Sequence, residues 1–230
     1  PKVKLISSSQ FILVDSDMSE EDKDARHNAW IINNNGNIDK SFYLGNVHRI
    51  TTTKSYIICS YTDSELGTNQ KYGCNGLVVF DYNGNSIFEY CRDTPKANRF
   101  NFIENYAFLQ KNENSIYYMP YENFPIIEFS LLDFSTKIVF QTPNELECKN
   151  DLFWNPKAFS QKRDSWFFIT PDIEKLISRI FRINNQRKIE QVGTCCFSFH
   201  PKGLKDGKFF IPYSYSGISK HRKMCQFIEI

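Results

Sequence analysis

The sequence predicts an all-β protein in which one four-stranded antiparallel unit recurs about five times. Three patterns support this fold class: a hairpin pattern written four times, an apolar run written five times, and a Pro-Lys pair upstream of three of those runs. Aromatic residues make up 16% of the 230-residue chain, and strands favour aromatic and β-branched side chains. A supersecondary unit that recurs every ~45–60 residues is typical of repeat architectures.

The hairpin pattern consists of two apolar runs joined by a polar turn. Its copies are residues 31–37, 79–85, 131–138 and 182–189. The first two turns contain Asn35-Gly36 and Asn83-Gly84. An Asn-Gly pair between apolar runs is the strongest short-range hairpin signal, because the turn needs a positive φ angle. Each copy therefore predicts the third and fourth strands of a unit.

The first and second strands are predicted from the segments that precede the hairpins. The five apolar runs are residues 11–14, 56–59, 116–119, 166–169 and 209–211. Near-continuous apolar runs are typical of strands buried on both faces, so each run predicts a second strand. The Pro-Lys pairs are Pro1-Lys2, Pro156-Lys157 and Pro201-Lys202. We expect a first strand to follow each pair. One short helix is expected over residues 19–26.

A four-stranded antiparallel meander repeated about five times resembles the blade array of a β-propeller. The resemblance covers nearly the whole chain and matches no specific family. It implies one domain over residues 1–230, with approximate blades at 1–46, 47–97, 98–143, 144–193 and 194–230. We expect five blades with an incomplete last blade, because only a third-strand candidate, residues 225–230, is found there. The alternatives are a fragment of a larger six- or seven-bladed propeller, and a β-sandwich or a pair of smaller β domains.

Charge and cysteine usage limit the function classes. The net charge of +2 is too small to predict a nucleic-acid partner, and no apolar run approaches the roughly 18 residues of a membrane span. The seven cysteines form no C-x-x-C pair, so we expect neither a metal site nor a cofactor. Their odd number favours a reducing, cytoplasmic compartment. Since the sequence starts at Pro1 without a signal peptide, we expect a trimmed or processed form or an ordered fragment.

The propeller resemblance also implies where a polar site would lie. In propellers the first strand of each blade lines the central channel, so the Pro-Lys segments are expected to open onto it. The candidate ligand-binding residues at this channel mouth are His48, Arg49, Arg99, Asn155 and His200. Equivalent positions on different blades converge in space, and a histidine there could act as an acid, a base or a ligand. The alternative is that these side chains satisfy backbone groups at a crowded channel mouth.

A second group of candidates is aromatic and stands in the loops of the same face. These residues are Tyr121, Trp154, Tyr213 and Tyr215. Aromatic side chains are typical anchors of protein interfaces, although they could also pack between blades. The leading hypothesis is a non-enzymatic module that binds a protein or peptide partner on this face. The alternative is a small-ligand-binding or hydrolase-type propeller with its site at the channel mouth. The fold class leaves open whether the protein is an enzyme.

Overall fold

The computed structural model describes residues 1–16, 27–61, 72–96, 99–100, 105–120, 124–142, 156–198, 201–211 and 226–230. Five small antiparallel sheets are arranged in a ring, as in a β-propeller. The all-β fold and the five-bladed arrangement predicted from the sequence are therefore confirmed. The sandwich and two-domain alternatives are wrong, because the sheets surround a common axis and do not form two facing layers.

Each blade is a meander in which consecutive strands are neighbours. Blade 1 contains β1 (Lys2–Leu5), β2 (Gln10–Val14), β3 (Ala29–Asn33) and β4 (Ile38–Phe42). Blade 2 contains β5 (Arg49–Thr52), β6 (Ile57–Ser60), β7 (Leu77–Phe80) and β8 (Ser86–Glu89). Blade 3 contains β9 (Asn105–Asn112), β10 (Ser115–Pro120), β11 (Ile126–Ser130) and β12 (Thr136–Phe140). Blade 4 contains β13 (Ala158–Lys162), β14 (Ser165–Asp172), β15 (Ile177–Ile183) and β16 (Ile189–Cys196).

The last blade has three strands in the described part of the chain, as the sequence predicts. They are β17 (Lys202–Gly203), β18 (Lys208–Ile211) and β19 (Gln226–Glu229). The first strands β1, β5, β9, β13 and β17 contact one another in series. They are therefore the innermost strands of the ring, and the fourth strands lie outermost.

The hydrophobic core consists of layers between neighbouring blades. Ile57 packs into the layer shared by blades 1 and 2, whereas Ile58 packs into the layer shared by blades 2 and 3. Two further layers join blades 3 and 4, and blades 4 and 5. The second strands β6 and β10 have a blade on either side, and all of their side chains are buried. This double burial is the physical reason for the near-continuous apolar runs.

All four predicted hairpins form between the third and fourth strands. In each turn an Asn or Asp side chain accepts a backbone N–H from two residues ahead, an arrangement that favours a turn. These acceptors are Asn33, Asp81, Asp133 and Asn184. Each turn also contains one residue with positive φ: Gly36, Gly84, Phe134 and Arg187. The third and fourth turns thus adopt, without glycine, the conformation that glycine favours.

Two local features differ from the sequence-based expectation. A short helix, α1 (Tyr90–Asp93), follows β8. The Glu89 N–H donates a hydrogen bond to the Asp93 carboxylate over 2.7 Å and holds this helix. The helix is too short for its sequence to show helical periodicity. Strand β16 continues to Cys196, past the blade limit predicted at residue 193. Its register shifts beside Gly193, so this glycine marks a bulge and does not end the strand.

The helix expected over residues 19–26 lies entirely outside the described residues and stays a prediction. No helix in the described ranges is long and apolar enough to cross a membrane.

Candidate functional site

A cavity of about 300 Å³ lies on the axis, among the innermost strands of four blades. Residues 1–4, 48–50, 107–108 and 201–204 line it. These residues lie at or near the beginnings of β1, β5, β9 and β17. In a ring of like-oriented blades the innermost strands run in the same direction, so the cavity lies at one end of the channel. We call it the channel cavity. Two of the three Pro-Lys pairs, Pro1-Lys2 and Pro201-Lys202, line it.

The channel cavity is strongly cationic. Lys2, Lys4, Arg49 and Lys202 line it, and none of the described residues in its lining is acidic. Burial lowers the pKa of the Lys4 ammonium to about 8, and the positive charges of Lys202 and Arg49 act in the same direction. Burial also lowers the pKa of the Arg49 guanidinium, although arginine side chains stay charged in proteins. The cavity therefore concentrates positive charge in a partly desolvated space.

The sheet of blade 2 positions His48 and Arg49. The His48 backbone N–H donates to the Ser60 carbonyl over 2.8 Å, and Arg49 is the register partner of Ser60 in the β5–β6 pair. The Nε atom of Arg49 is buried, and no hydrogen-bond acceptor among the described residues contacts it. A buried donor of this kind costs free energy unless a partner is supplied.

Close packing between blades 4 and 5 positions Lys202. A Cβ atom added to Gly203 would lie 1.6 Å from the Phe159 carbonyl oxygen, so only glycine fits beside β13 at this point. The Ser160 hydroxyl donates to the Leu204 carbonyl and connects the same two blades. Together these contacts hold residues 202–204 against blade 4 and leave Lys202 in the cavity wall.

The structure brings together two of the five residues predicted at the channel mouth. His48 and Arg49 both line the channel cavity. Arg99 is not among its lining residues; its Nε donates to the Thr94 carbonyl over 2.7 Å, next to helix α1. Asn155 and His200 lie outside the described residues, as do the four aromatic candidates Tyr121, Trp154, Tyr213 and Tyr215. The roles of these six residues stay predictions.

Lys4 and Lys202 are candidate site residues that the sequence-based prediction did not include. For Lys202 the available signal was the Pro-Lys pair, which places a lysine at or next to the start of a first strand. Lys4 belongs to no such pair and lies two residues after Lys2 on β1. The Pro-Lys pair alone does not decide whether its lysine lines the cavity, however. Lys157 belongs to the third pair and does not line the cavity, although it is half-buried.

A larger depression of about 630 Å³ lies between blades 2 and 3. Phe88, Phe100 and Phe134 line it together with Asp93 and Asp133. Its two carboxylates are already engaged, since Asp93 accepts hydrogen bonds from the Arg92 guanidinium and Asp133 accepts from Ser135. The smaller channel cavity is the better candidate site, because its half-buried cations Lys4 and Arg49 form no ion pair within the described residues.

No group of three or more His, Cys, Asp or Glu side chains that could hold a metal ion is found in the described part of the chain. The described cysteines Cys59, Cys74, Cys91, Cys195 and Cys196 are free thiols.

A comparison with protein families finds no match, and a comparison with characterised proteins finds none either. Among solved structures, a chain of the S. cerevisiae complex of Dbp5 with Nup159 and Gle1 is similar at 12% identity and a TM-score of 0.39, over 95% of this chain and 53% of that chain. Hydrazine synthase of Kuenenia stuttgartiensis is similar at 6% identity and a TM-score of 0.45, over 94% of this chain and 56% of that chain. A streptogramin B lyase is similar at 11% identity and a TM-score of 0.30, over 88% of this chain and 94% of that chain. The present chain thus spans about half the length of the first two.

Proposed function

We propose that this protein is a binding module that holds a small ligand in the channel cavity. The observation that carries the proposal is the convergence of residues from four blades on one concave volume of about 300 Å³. Ligand sites are typically concave and mostly apolar, with a few placed polar groups, and begin at about this volume. The sequence-based alternative of a ligand site at the channel mouth, with His48 and Arg49 as binding residues, is thus the function that the geometry supports best.

The lining has the mixed character that such a site needs. Ile50, Ala107 and Phe108 supply an apolar wall, and His48 and Arg49 supply polar groups next to it. Apolar walls contribute affinity, whereas fixed polar groups orient a ligand. The first strands that carry these residues are held by neighbouring blades on both sides, so the site is largely preformed.

A cavity-filling substitution tests this proposal. Leu204 lines the cavity and is 36% exposed, so Leu204→Trp adds bulk there without removing a core side chain. The matched control is Leu132→Trp, at a 76% exposed position in the turn between β11 and β12. A panel of neutral, cationic and anionic small molecules is screened by changes in amide NMR shifts. We expect shifts at residues 48–50 and 202–204 in the wild type and in Leu132→Trp, and loss of binding in Leu204→Trp.

Two results would contradict a channel site. In the first, every molecule that binds changes the NMR shifts only of amides that lie away from the cavity. In the second, the Leu204→Trp variant folds and binds the same molecules as tightly as the wild type.

The second candidate function is binding of a protein or peptide on the face predicted to carry Tyr121, Trp154, Tyr213 and Tyr215. One observation favours it: β10 and β18 both end on the cavity side of the ring. In β10, Met119 pairs with Ala107 of β9. In β18, Phe210 pairs with Lys202 of β17. Ala107 and Lys202 both line the cavity. Tyr121 directly follows the end of β10, and Tyr213 comes two residues after the end of β18.

Peptide selection tests this second candidate. A displayed peptide library is selected on the wild-type protein, and the selected peptides are measured against Trp154→Ala, Tyr213→Ala and the control Leu132→Ala. We expect the first two variants to lose most of the affinity at a nearly unchanged melting temperature, because interface aromatics dominate binding energy. If Trp154→Ala lowers the melting temperature strongly, Trp154 belongs to the core and the interface assignment fails.

A further inference from the structure

Among the four cations that line the channel cavity, three come from three different blades. Lys4 lies on β1, Arg49 on β5 and Lys202 on β17; we call them the channel cluster. Within the described residues none of the three forms an ion pair with a carboxylate. The channel cluster is therefore a group of like charges without internal neutralisation.

Such a cluster is unfavourable for the folded protein by itself. Like charges repel, and a cation that loses part of its hydration is destabilised further. Both effects act on Lys4, because burial and the neighbouring charges lower its pKa. The buried Nε–H of Arg49 adds a donor that no acceptor among the described residues contacts. An anionic ligand would offset all of these costs at once, and perturbed charges in a cleft are typical of functional sites.

The size of the cavity limits the anion to a small molecule. A volume of about 300 Å³ fits a compact ligand, whereas a nucleic-acid backbone needs a long basic groove. The lining is not uniformly polar, since Phe108 and Ile50 flank the charged side chains. The ligand class is therefore an anionic head group joined to an apolar part.

The number of cations decides which head group fits best. A phosphate monoester has a charge of about −1.5 to −2 at neutral pH and three acceptor oxygens, whereas a carboxylate has a single charge and two oxygens. Donors that approach from three blades match the three oxygens of a phosphoryl group. A guanidinium also binds phosphate through two parallel N–H groups.

We propose that the channel cluster binds the phosphoryl group of a small phosphate monoester, with the apolar part of the ligand against Phe108. This proposal rests on the proposed function of the channel cavity and names the ligand class of the same site.

Calorimetric titration with phenyl phosphate tests the proposal at about pH 7 and constant ionic strength. We expect one binding site in the wild type, and a loss of affinity of about tenfold or more in each of Lys4→Gln, Arg49→Gln and Lys202→Gln, since each removes a charge-assisted contact. The matched control is Lys205→Gln, which removes an exposed lysine of the same blade that does not line the cavity. This control is expected to bind like the wild type.

Two further ligands test the head group and the apolar part. Inorganic phosphate is expected to bind more weakly than phenyl phosphate and to lose affinity in the same three variants. Benzoate, which has the same ring and a single charge, is expected to bind about tenfold more weakly or worse. The proposal is wrong if phenyl phosphate does not bind, if benzoate binds equally well, or if Lys205→Gln weakens binding as much as Lys4→Gln. Should Arg49→Gln fail to fold, Arg49→Lys retains the charge and is expected to lose part of the affinity.

The failure of this proposal can be told apart from the failure of the proposed function. If neutral molecules bind in the cavity and Leu204→Trp blocks them while phenyl phosphate does not bind, the channel site stands and the phosphoryl assignment falls. If phenyl phosphate binds with equal affinity to wild type and Leu204→Trp, both fall, because the anion then binds elsewhere.

Discussion

The positive charges of Lys4 and Lys202 act on each other, although the two residues belong to the first and the last blade. The charge of Lys202 contributes, after burial, to the lowered pKa of Lys4, which is about 8. Both residues also line one cavity. The arrangement of the first and fifth blades in one ring thus produces an electrostatic feature that neither blade has alone.

Replacing Lys4 is expected to stabilise the protein. Lys4→Gln removes a partly desolvated charge near Lys202 and Arg49, and if this relief is worth ~1 kcal/mol, the melting temperature at pH 7 rises by about 2–4 °C. Differential scanning calorimetry measures the change, with Lys205→Gln as the control that leaves the melting temperature unchanged. A lower melting temperature in Lys4→Gln would mean that the lysine stem contributes more by packing than its charge costs.

The pH dependence of stability is expected to report the same group. The pKa of Lys4 is about 8 in the folded state and 10.5 normally. Between these values the unfolded chain binds more protons than the folded protein, so the contribution of Lys4 to stability increases as pH rises from about 8 to about 10.5. The charged groups that act on Lys4 are Lys202 and Arg49.

Other groups also titrate in this window, so the measurement is a difference between two proteins. The melting-temperature advantage of Lys4→Gln over the wild type is expected to be largest below pH 8 and to shrink towards pH 10.5. An advantage that is constant over this range would show that the ammonium of Lys4 is not the cause.

Two glycines offer a matched test of packing between blades. Gly36 and Gly84 occupy the same turn position with φ angles of 81° and 83°. A Cβ atom at Gly36 would meet nothing within 4 Å, whereas a Cβ atom at Gly84 would lie 2.5 Å from Cβ of Phe42 in the neighbouring blade. Gly36→Ala is expected to cost about 1 kcal/mol from backbone strain alone. Gly84→Ala should cost ~1–3 kcal/mol more, from overpacking.

Urea unfolding of the two variants measures this difference in the free energy of unfolding. Equal losses in Gly36→Ala and Gly84→Ala would mean that blade 1 can move away from the turn of blade 2 without cost.

Asn28 is expected to be a main stabilising contact of blade 1. Its side-chain amide donates to the carbonyls of Asp15 and Gly45 over 2.8 and 2.7 Å, and its side-chain oxygen accepts from the Leu44 N–H over 2.8 Å. The residue is only 1% exposed. Asn28→Ala should therefore lower the free energy of unfolding by on the order of 3 kcal/mol, because buried backbone groups lose their partners.

Asn35→Ala is the control for this substitution. Asn35 is exposed in a hairpin turn, and its replacement should change the free energy of unfolding by no more than about 0.5 kcal/mol. If both variants lose the same stability, the buried hydrogen bonds of Asn28 do not stabilise blade 1 beyond an ordinary surface residue.

The fold could be predicted from the sequence because each blade is built from local patterns. A turn acceptor such as Asn33 or Asp81 lies only two residues from its donor, and an apolar run such as residues 56–59 shows its double burial directly. The backbone conformation of Phe134 could not be predicted from a local sequence pattern. Its positive φ of 56° takes the place of a glycine, and its ring stacks on Phe88 of the neighbouring blade at 4.8 Å, a contact between distant parts of the chain.

The candidate site could be predicted only in part. His48 and Arg49 were expected at the channel because they begin a first strand, and both line the cavity. Arg99 was expected there for its proximity in sequence to the next first strand, but its hydrogen bond to Thr94 keeps it beside helix α1. Lys4 and Lys202 could not be paired from the sequence, because their shared cavity depends on how the blades are arranged around the ring.

The sequence by itself determined the repeated blade, its strand order and the incomplete last unit, since turn chemistry and burial periodicity act over a few residues. The tertiary structure decided which side chains share the channel. Lys4, Arg49 and Lys202 belong to three blades, and only the arrangement of those blades around one axis brings their charges into a single cavity. Electrostatic repulsion and desolvation act through space, so the most unusual chemistry of this protein arises from contacts between segments that are far apart in the chain.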